Sequence, residues 1–573
     1  MKKSNFLLLH LIYVAIAILF DFNITYSQVE NVPADNPVYS FLKQMQVQGI
    51  LNDYSDIILP LSRKKVLEAL QEIDKNKEKI SSTDREYLVR LEKKLDLFEE
   101  KSISLINPDT SRSGSIFDNF PSDFSKNLFA DSEKHLYSFN DSNINFYINP
   151  VVEYKYVNSS FNKNNSSLFN LGGVLRGSYD DWFGFYLLGT NGIVSGNRDV
   201  AELDKSVAQN YTFNNTKINY FPYTEGYARV EKGIISLQIG RERVLWGTGY
   251  INRLILSENP PPFDFIRFNI SYKSLSYNFL HGWLVQKPTF TPIDSLAGDF
   301  KTKGSKYVAM SRLGFRPSNK LSLGITQMII YSNRPLEAAY LTPFLFFESA
   351  QRSLNDLDNS FLAFDGRYLI TDGLEINSSI IFDDINFKRL GNGQWNANNN
   401  GTAWQAGAII TNPLLLNDLV LKIEYIQIRP YMYSHPGLKG ALTYTSNGYL
   451  LSPDIQPNST LFSTEIDYRF SRDLYAQLNY SHELHGNNIL DSQGNLIRDV
   501  GGDVFQNLTV YDSYFADLLD GEREVTDLFS LSVNYEFLYG FYGGIAYQYK
   551  NKLSNGLKTT NNILSASLRL AFE

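Results

Sequence analysis

From about residue 143 to its last residue, the chain alternates tight turns with long polar connections in strict order. That order restricts the available folds more than any other feature. About eighteen strand-like stretches of roughly nine to twelve residues each run from Asn143–Val157 to Asn561–Phe572. Connections after even-numbered stretches are short: Asp180-Asp181, Glu231-Lys232-Gly233, Pro317-Ser318-Asn319, Thr371-Asp372-Gly373 and Ser471-Arg472. Those after odd-numbered ones are mostly long, as in Asn191–Tyr223, Val285–Ser305, Ser332–Ser360, Arg429–Ser459 and Glu483–Val525. A soluble sandwich has no reason to sort its loops by parity. An even-stranded barrel in a bacterial outer membrane does, with tight turns on the periplasmic side and long loops outside.

The strands themselves carry the period-2 alternation of a wall with two different solvents. Leu564, Ala566, Leu568, Leu570 and Phe572 oppose Ser565, Ser567 and Arg569. Phe462, Ile466, Tyr468 and Phe470 likewise oppose Ser463, Glu465, Asp467 and Arg469, and Leu374, Ile376, Ile380 and Phe382 oppose Glu375, Asn377 and Asp383. Basic side chains at mid-depth cost roughly 2–4 kcal/mol on the lipid face, so the charged set is expected in the lumen. Tyr and Phe, 37 and 39 against five Trp, suit a wall ringed by aromatic girdles. Phe572, penultimate before Glu573, resembles the terminal aromatic by which the barrel-assembly machinery recognises its clients.

Residues 1–27, with Lys2-Lys3, an apolar run Phe6–Phe20 and small Thr25 and Ser27, read as a secretory signal peptide. No later apolar run is long enough for a membrane helix. With no cysteine there is neither a disulfide nor a lipidated Cys, so attachment to outer-membrane lipid must come from the fold. A net charge of −8 without a basic run argues against nucleic acid as a partner.

Residues 28–105 have helical periodicity and are expected to form a small periplasmic bundle. Val38, Phe41, Leu42 and Met45 share a face that ends at Gly49; Ser62 is placed to cap a second helix, and Thr83 with Glu86 to box a third. Residues 106–142, Ser/Asp/Asn-rich with Phe117, Phe120, Phe124 and Phe129, read as a linker or a segment closing the barrel mouth. Residues 143–573 are the barrel. The fold class is thus an all-β transmembrane barrel with a small N-terminal helical bundle.

Catalytic signatures are poor. His482 and His485 lie three apart on a strand edge, without the helical spacing of a zinc protease. Gly247-Thr248-Gly249 completes no phosphate-binding motif, and the oxygen-rich loops Asn398–Gly401 and Asp491–Asp503 lack the EF-hand pattern, which leaves a loop calcium open. No cofactor, metal ligand set or catalytic residue is assigned, and the chain is not expected to be an enzyme.

The segment from Ile239 to Asp264, joining strands five and six, is unlike a solvated loop. It is rich in Arg, Trp and aliphatics and stiffened by Pro260-Pro261-Pro262, so it is expected to fold inward over the lumen. Here the chain resembles the capsule-assembly Wzi family of outer-membrane proteins. The resemblance rests on Trp246-Gly247-x-Gly249, Leu254-Ile255-Leu256-Ser257-x-Asn259 and Pro262, with Glu337–Phe344, Leu357–Asp365, Ile380–Ile385, and Val32-Pro33 through Leu59–Arg63. Pro260 departs from the small residue expected after Asn259.

That resemblance implies an eighteen-stranded lectin-like barrel that holds capsular or other surface polysaccharide at the cell surface. Sugars are bound by aromatic faces and by planar amide, carboxylate and guanidinium groups. The candidate set is Arg241, Glu242, Trp246, Tyr250, Asn252, Arg253, Ser257 and Asn259, with Asp358, Asn359, Asp383 and Asp384 lining the lumen beneath. Continuing the parity of strand five carries Trp246 toward the lumen, where it either stacks on sugar or packs a plug. Two other classes stay open: a porin or solute transporter, since a barrel this wide can hold an aqueous channel, and a barrel enzyme acting on lipid or polysaccharide.

Overall fold

The computed structural model describes residues 28–95, 103–106, 124–141, 143–161, 163–210, 219–286, 289–291, 300–302, 304–383, 388, 391–394, 396–398, 400–435 and 440–572. The signal-peptide segment 1–27, Phe117, Phe120, Asp384 and Glu573 lie outside the described residues.

Eighteen antiparallel strands close into one barrel. The first nine are β1 (Ile144–Ser159), β2 (Asn164–Tyr179), β3 (Phe183–Gly196), β4 (Tyr220–Lys232), β5 (Ile235–Glu242), β6 (Phe263–Tyr272), β7 (Leu275–Val285), β8 (Ser305–Ser318) and β9 (Leu321–Ser332). The others are β10 (Asn359–Thr371), β11 (Leu374–Asp383), β12 (Gly401–Thr411), β13 (Leu419–Ile428), β14 (Ser459–Arg469), β15 (Leu474–Asn487), β16 (Glu522–Leu538), β17 (Phe541–Ser554) and β18 (Leu557–Ala571). Closure pairs β18 with β1, from Ile563 opposite Ser159 to Ala571 opposite Val151. A short strand, Tyr137–Asn140, extends the same edge of β1.

The loop parity read from the sequence holds, except that β1–β2 and β17–β18 are also joined tightly, the latter by Asn555-Gly556. Strands run from 8 to 17 residues, a wider range than the sequence suggested. The alternation is realised in the wall. Leu313, Ile325, Ile376 and Leu568 are exposed on the outer face, whereas Glu375, Glu465, Asp467 and Asp383 are buried inside. Lys422 of β13 bridges Glu465 and Asp467 at 2.7 Å each, so these lumen charges are paired.

Three amphipathic helices precede the barrel: α1 (Val38–Val47), α2 (Arg63–Asp74) and α3 (Ser82–Lys94). Phe41, Leu42, Met45, Val66, Leu70, Ile73, Leu88 and Leu91 make one core that also takes in Leu245 of the β5–β6 loop. Gly49 ends α1 with φ +73°, the left-handed conformation that glycine adopts without strain. The caps differ from expectation. Ser62 sits at the start of α2 without a side-chain capping bond, and α3 starts two residues earlier than a Thr83 box requires, capped by Ser81 Oγ accepting from Asp84 N at 2.9 Å.

Nor is the bundle a body apart from the barrel. It is seated in the tight-turn mouth by charged contacts to the wall. Lys94 donates to Glu536 and to the Tyr542 hydroxyl, both at 2.9 Å. Arg90 meets Glu536 at 3.3 Å, Ser81 bonds Asp418, and Arg176 donates to the buried Glu30 at 3.0 Å. Asn31 donates to Glu242 at 2.9 Å. Some inward charges forced into the lumen by the lipid rule therefore find partners on the N-terminal segment and bundle, and others within the wall.

Candidate functional site

Two loops from the opposite end descend into the barrel: residues 243–262, between β5 and β6, which meet the N-terminal segment, and, between β13 and β14, the described residues 429–435 and 440–458. The first drops because of its glycines. Gly247 has φ +131°, and a Cβ on Gly249 would lie 1.5 Å from the Asn252 carbonyl oxygen. Inside, Trp246 is paired on both sides, with Ile58 of the N-terminal segment and with Leu256, to which it bonds at 2.9 and 3.0 Å. The second loop zips onto the first. Ser257 Oγ donates to Ser452 O at 2.8 Å, Asn259 Nδ2 to Leu450 O at 3.1 Å, and the Tyr444 hydroxyl to Ile255 O at 2.8 Å. A core of Trp246, Leu254, Ile255, Leu256, Tyr433, Tyr444, Leu450 and Leu451 results, packed on the lumen faces of Phe265, Met328, Phe361 and Ile426. The lumen is crossed by packed protein.

The hub beneath is electrostatic. Asp56, from the N-terminal segment, pairs with Arg367 of β10 and lies 3.5 Å from Arg253 and 4.0 Å from Lys43. Lys43 also pairs with Glu375, which accepts from the Tyr250 hydroxyl at 2.9 Å. Glu424 accepts from the backbone N–H of Tyr250 and, at 2.8 Å, of Asn252. Three cations and three carboxylates thus lock bundle, loop and wall together. Burial opposes the ionised form of Asp56, but Arg367, Lys43 and Arg253 outweigh it and hold the carboxyl well below the usual range.

Most of the sequence candidates therefore hold the plug. Trp246 is 0% exposed and is not available as a stacking face; packing, not sugar, is its role in this arrangement. Glu242 is bonded to Asn31 and Gln238, and Ser257 and Asn259 to the second loop. Arg241 shares the outer face with Ile239 by strand parity and forms a two-point ion pair with Asp264 at 2.8 and 3.1 Å, bordering a cavity of about 670 Å³ at the end of its strand. Asn359 and Asp383 face inward, but both anchor the second loop, to Leu442 O at 3.0 Å and from Tyr433 N at 3.0 Å. Asp358 lies outside the wall, paired with Arg334 at 2.6 Å. His482 and His485 point to opposite faces of β15, toward Asp527 and Ser459, so they cannot share a metal ion. Among the described residues no cluster of His, Asp and Glu is arranged to hold one.

Four candidates gather at one cavity. Asn252, Arg253, Ser257 and Asn259 line one side of a cavity of about 320 Å³, and Asp454, Ser481, Glu483, Thr526 and Lys550 the other. Tyr250 and Arg253 border an adjoining cavity of about 290 Å³ above α1. Ser257 and Asn259 form a buried floor, whereas Glu258, Asp454 and Lys550 are exposed. Sequence reasoning missed Asp454, Glu483 and Lys550. The signal was present for the last two, as inward-parity charges in the loop-side half of their strands.

A profile of the family described as capsule assembly protein Wzi matches residues 156–534, most of the barrel. The chain belongs to the Wzi capsule-assembly family. Among solved structures it is similar to an Escherichia coli Wzi described as an outer-membrane protein involved in group 1 capsule assembly and a carbohydrate-binding β-barrel. The two are 12% identical over 95% of this chain and 99% of that one, with a TM-score of 0.55, which establishes a shared Wzi fold. Pseudomonas aeruginosa OprD, 11% identical over 74% of this chain and 94% of its own, superposes with a TM-score of 0.42. Acinetobacter baumannii OccAB2, 12% identical over 75% and 98%, gives the same score. No curated protein matches by sequence. As a Wzi-family barrel, the protein resides in the outer membrane.

Proposed function

We propose that this Wzi-family barrel binds capsular or other surface polysaccharide from the outside and anchors it at the cell surface. The observation that carries the reading is the 320 Å³ cavity at the loop end, with its amides, carboxylates, hydroxyls and Lys550 around one space. Such groups match sugar hydroxyls, and a cavity of this size suits one or two residues of a polymer. A single contact of this kind is weak. A long polymer meeting many barrels is held by multivalency. Above it the 488–521 loop carries Tyr511, 94% exposed, with Tyr514 and Phe515, open aromatic faces for a chain lying across the rim.

Glu483→Ala and Lys550→Ala, separately, are expected to lower polymer binding by the purified barrel several-fold while leaving its heat-modifiable gel migration intact. Unchanged binding by both would remove the cavity from the site. In cells, deletion is expected to leave synthesis intact and release polymer into the medium; a fall in total polymer with none released would contradict anchoring.

The reading also sets an orientation, with an N-terminal signal for export, the bundle in the periplasm and the long loops outside. The exposed Val510 is the informative site there, since Ser446 in another long loop is buried. A Val510→Cys variant is expected to take a membrane-impermeant label in intact cells, and Asp181→Cys, at the β2–β3 turn, only after permeabilisation. The reverse pattern would invert the topology.

A further inference from the structure

The long connection 333–358, between β9 and β10, goes neither into the lumen nor out into solvent: it folds back over the outside of the wall. Strand parity decides this. Ile325 and Leu323 of β9 and Leu313 of β8 are exposed on the outer face, and counting by twos from them reaches Gln327, Ile329, Tyr331, Tyr307, Ala309 and Ser311. These residues are covered by Tyr340, Phe347 and Ala350 from two short helices, Ala338–Leu341 and Phe347–Leu354, in a cluster separate from the lumen core.

The wall beneath breaks the apolar-outside rule. Gln327, Ser311, Tyr277 and His281 all point outward, and Ser311 Oγ accepts from Gln327 Nε2 at 2.8 Å. Gln327 Nε2 donates to Leu345 O at 2.8 Å, and its Oε1 accepts from Phe347 N at 2.9 Å. The Tyr277 hydroxyl donates to Pro343 O, and His281 meets the Tyr331 hydroxyl at 2.7 Å. Gln327 lies five residues inside its strand end at Ser332, roughly 16 Å along the strand at about 3.3 Å per residue. Irregular backbone at that depth must have its polar groups satisfied by protein, because lipid offers none. The wall's misplaced polar side chains supply those partners.

On its far side this collar carries a cluster of exposed apolar side chains, beside an exposed Glu348–Arg352 ion pair at 2.8 Å. Phe344 is 69%, Phe346 52% and Leu357 83% exposed, joined by Leu336 and Leu354, and the surface runs on into the lipid-facing belt of Leu323, Ile325 and Phe364. So large an exposed apolar cluster, contiguous with the lipid-facing belt, is not what a water-facing loop needs, and the long Arg352 side chain can reach from it to the interface. We propose that residues 333–358 are an outer-leaflet collar, held in the membrane with Phe344, Phe346 and Leu357 against lipid acyl chains. Its hinge is Asp358, which takes Arg334 at 2.8 and 2.6 Å and the Tyr340 hydroxyl at 2.7 Å. The family-like stretch Glu337–Phe344 and the start of another, Leu357-Asp358, build this feature.

The chain has no cysteine, so Phe346→Cys and Leu357→Cys can carry single spin labels in the full-length protein in liposomes. Leu313→Cys serves as a lipid-belt reference and Tyr511→Cys as an aqueous one. The ratio of collisions with oxygen to collisions with a water-soluble nickel complex is expected to match the Leu313 label at both sites. A ratio matching Tyr511 would overturn the proposal, and so would shielding from both reagents, which would mean a protein partner or a second copy. Asp358→Ala, added to Phe346→Cys, is expected to increase label mobility without loss of the folded barrel; unchanged mobility would remove Asp358 from the hinge.

Discussion

Replacing Asp56 with alanine should open the lumen. Its carboxylate is the one anion that faces Arg367, Arg253 and Lys43 together. Without it the three cations are left with Glu375, which is bonded to Lys43 and Tyr250, and with Glu424, which is bonded to the backbone of Tyr250 and Asn252. Removing one partner of a buried ion group costs about 3–5 kcal/mol, because the remaining charges stay desolvated and unpaired. The strain falls on the seat of the N-terminal segment and not on the wall, whose eighteen strands are paired independently of it. In a planar bilayer the parent protein is expected to show no large conductance steps, and Asp56→Ala to show them, with faster proteolysis of residues 28–95. A parent as conductive as the variant would favour the porin reading.

The seat of the bundle also has a pH dependence with two signs. Asp56 has a depressed carboxyl, so its contribution is present above the unfolded range near 3.8 and is lost as pH falls below it toward the folded value. Asp84 in α3 behaves oppositely. Burial and the nearby Asp418, against Arg469, push it up to about 7. A carboxyl raised in the fold favours the fold below the unfolded value and loses that advantage as pH rises through about 7. Proteolysis of the bundle is therefore expected to be slowest near the unfolded carboxyl value of 3.8, and to quicken below it and on the way up to about pH 7. A flat profile would show that neither group titrates with unseating.

The barrel was legible because membrane and lumen impose opposite demands on alternate residues. Loop parity, strand faces such as Ser463, Glu465, Asp467 and Arg469 inward, and the inward path of 243–262 all follow from that one rule. The site was less legible, because inward and polar describes plug contacts and sugar contacts equally. Asp383 and Asn359 have the right face and chemistry, yet they are used up on backbone groups of residues 429–458, a loop distant in sequence. Asp358 failed for another reason: period-2 counting assigns the faces of strands and says nothing of a loop that folds back outside the wall. Glu483 and Lys550 could have been found by asking which inward charges lack a partner on the bundle.

Trp246→Ala tests the division between plug and site most severely. Trp246 is the largest wholly buried side chain among the described residues, enclosed by Ile58, Leu256 and the second loop. Its Nε1 finds no hydrogen-bond partner there, so its contribution is shape and apolar area. Truncating a buried Trp or Phe typically costs about 3–5 kcal/mol. Trp246→Phe keeps much of the volume and gives up an N–H that bonds nothing. Thermal unfolding of Trp246→Ala is therefore expected well below the parent, with Trp246→Phe close to it, and polymer binding is expected to follow stability in both. A sugar-stacking Trp246 would behave differently, with binding lost while unfolding stays unchanged. That outcome would require the loop 243–262 to lift and present the indole, and the Asp56 hub would then be the latch it has to release.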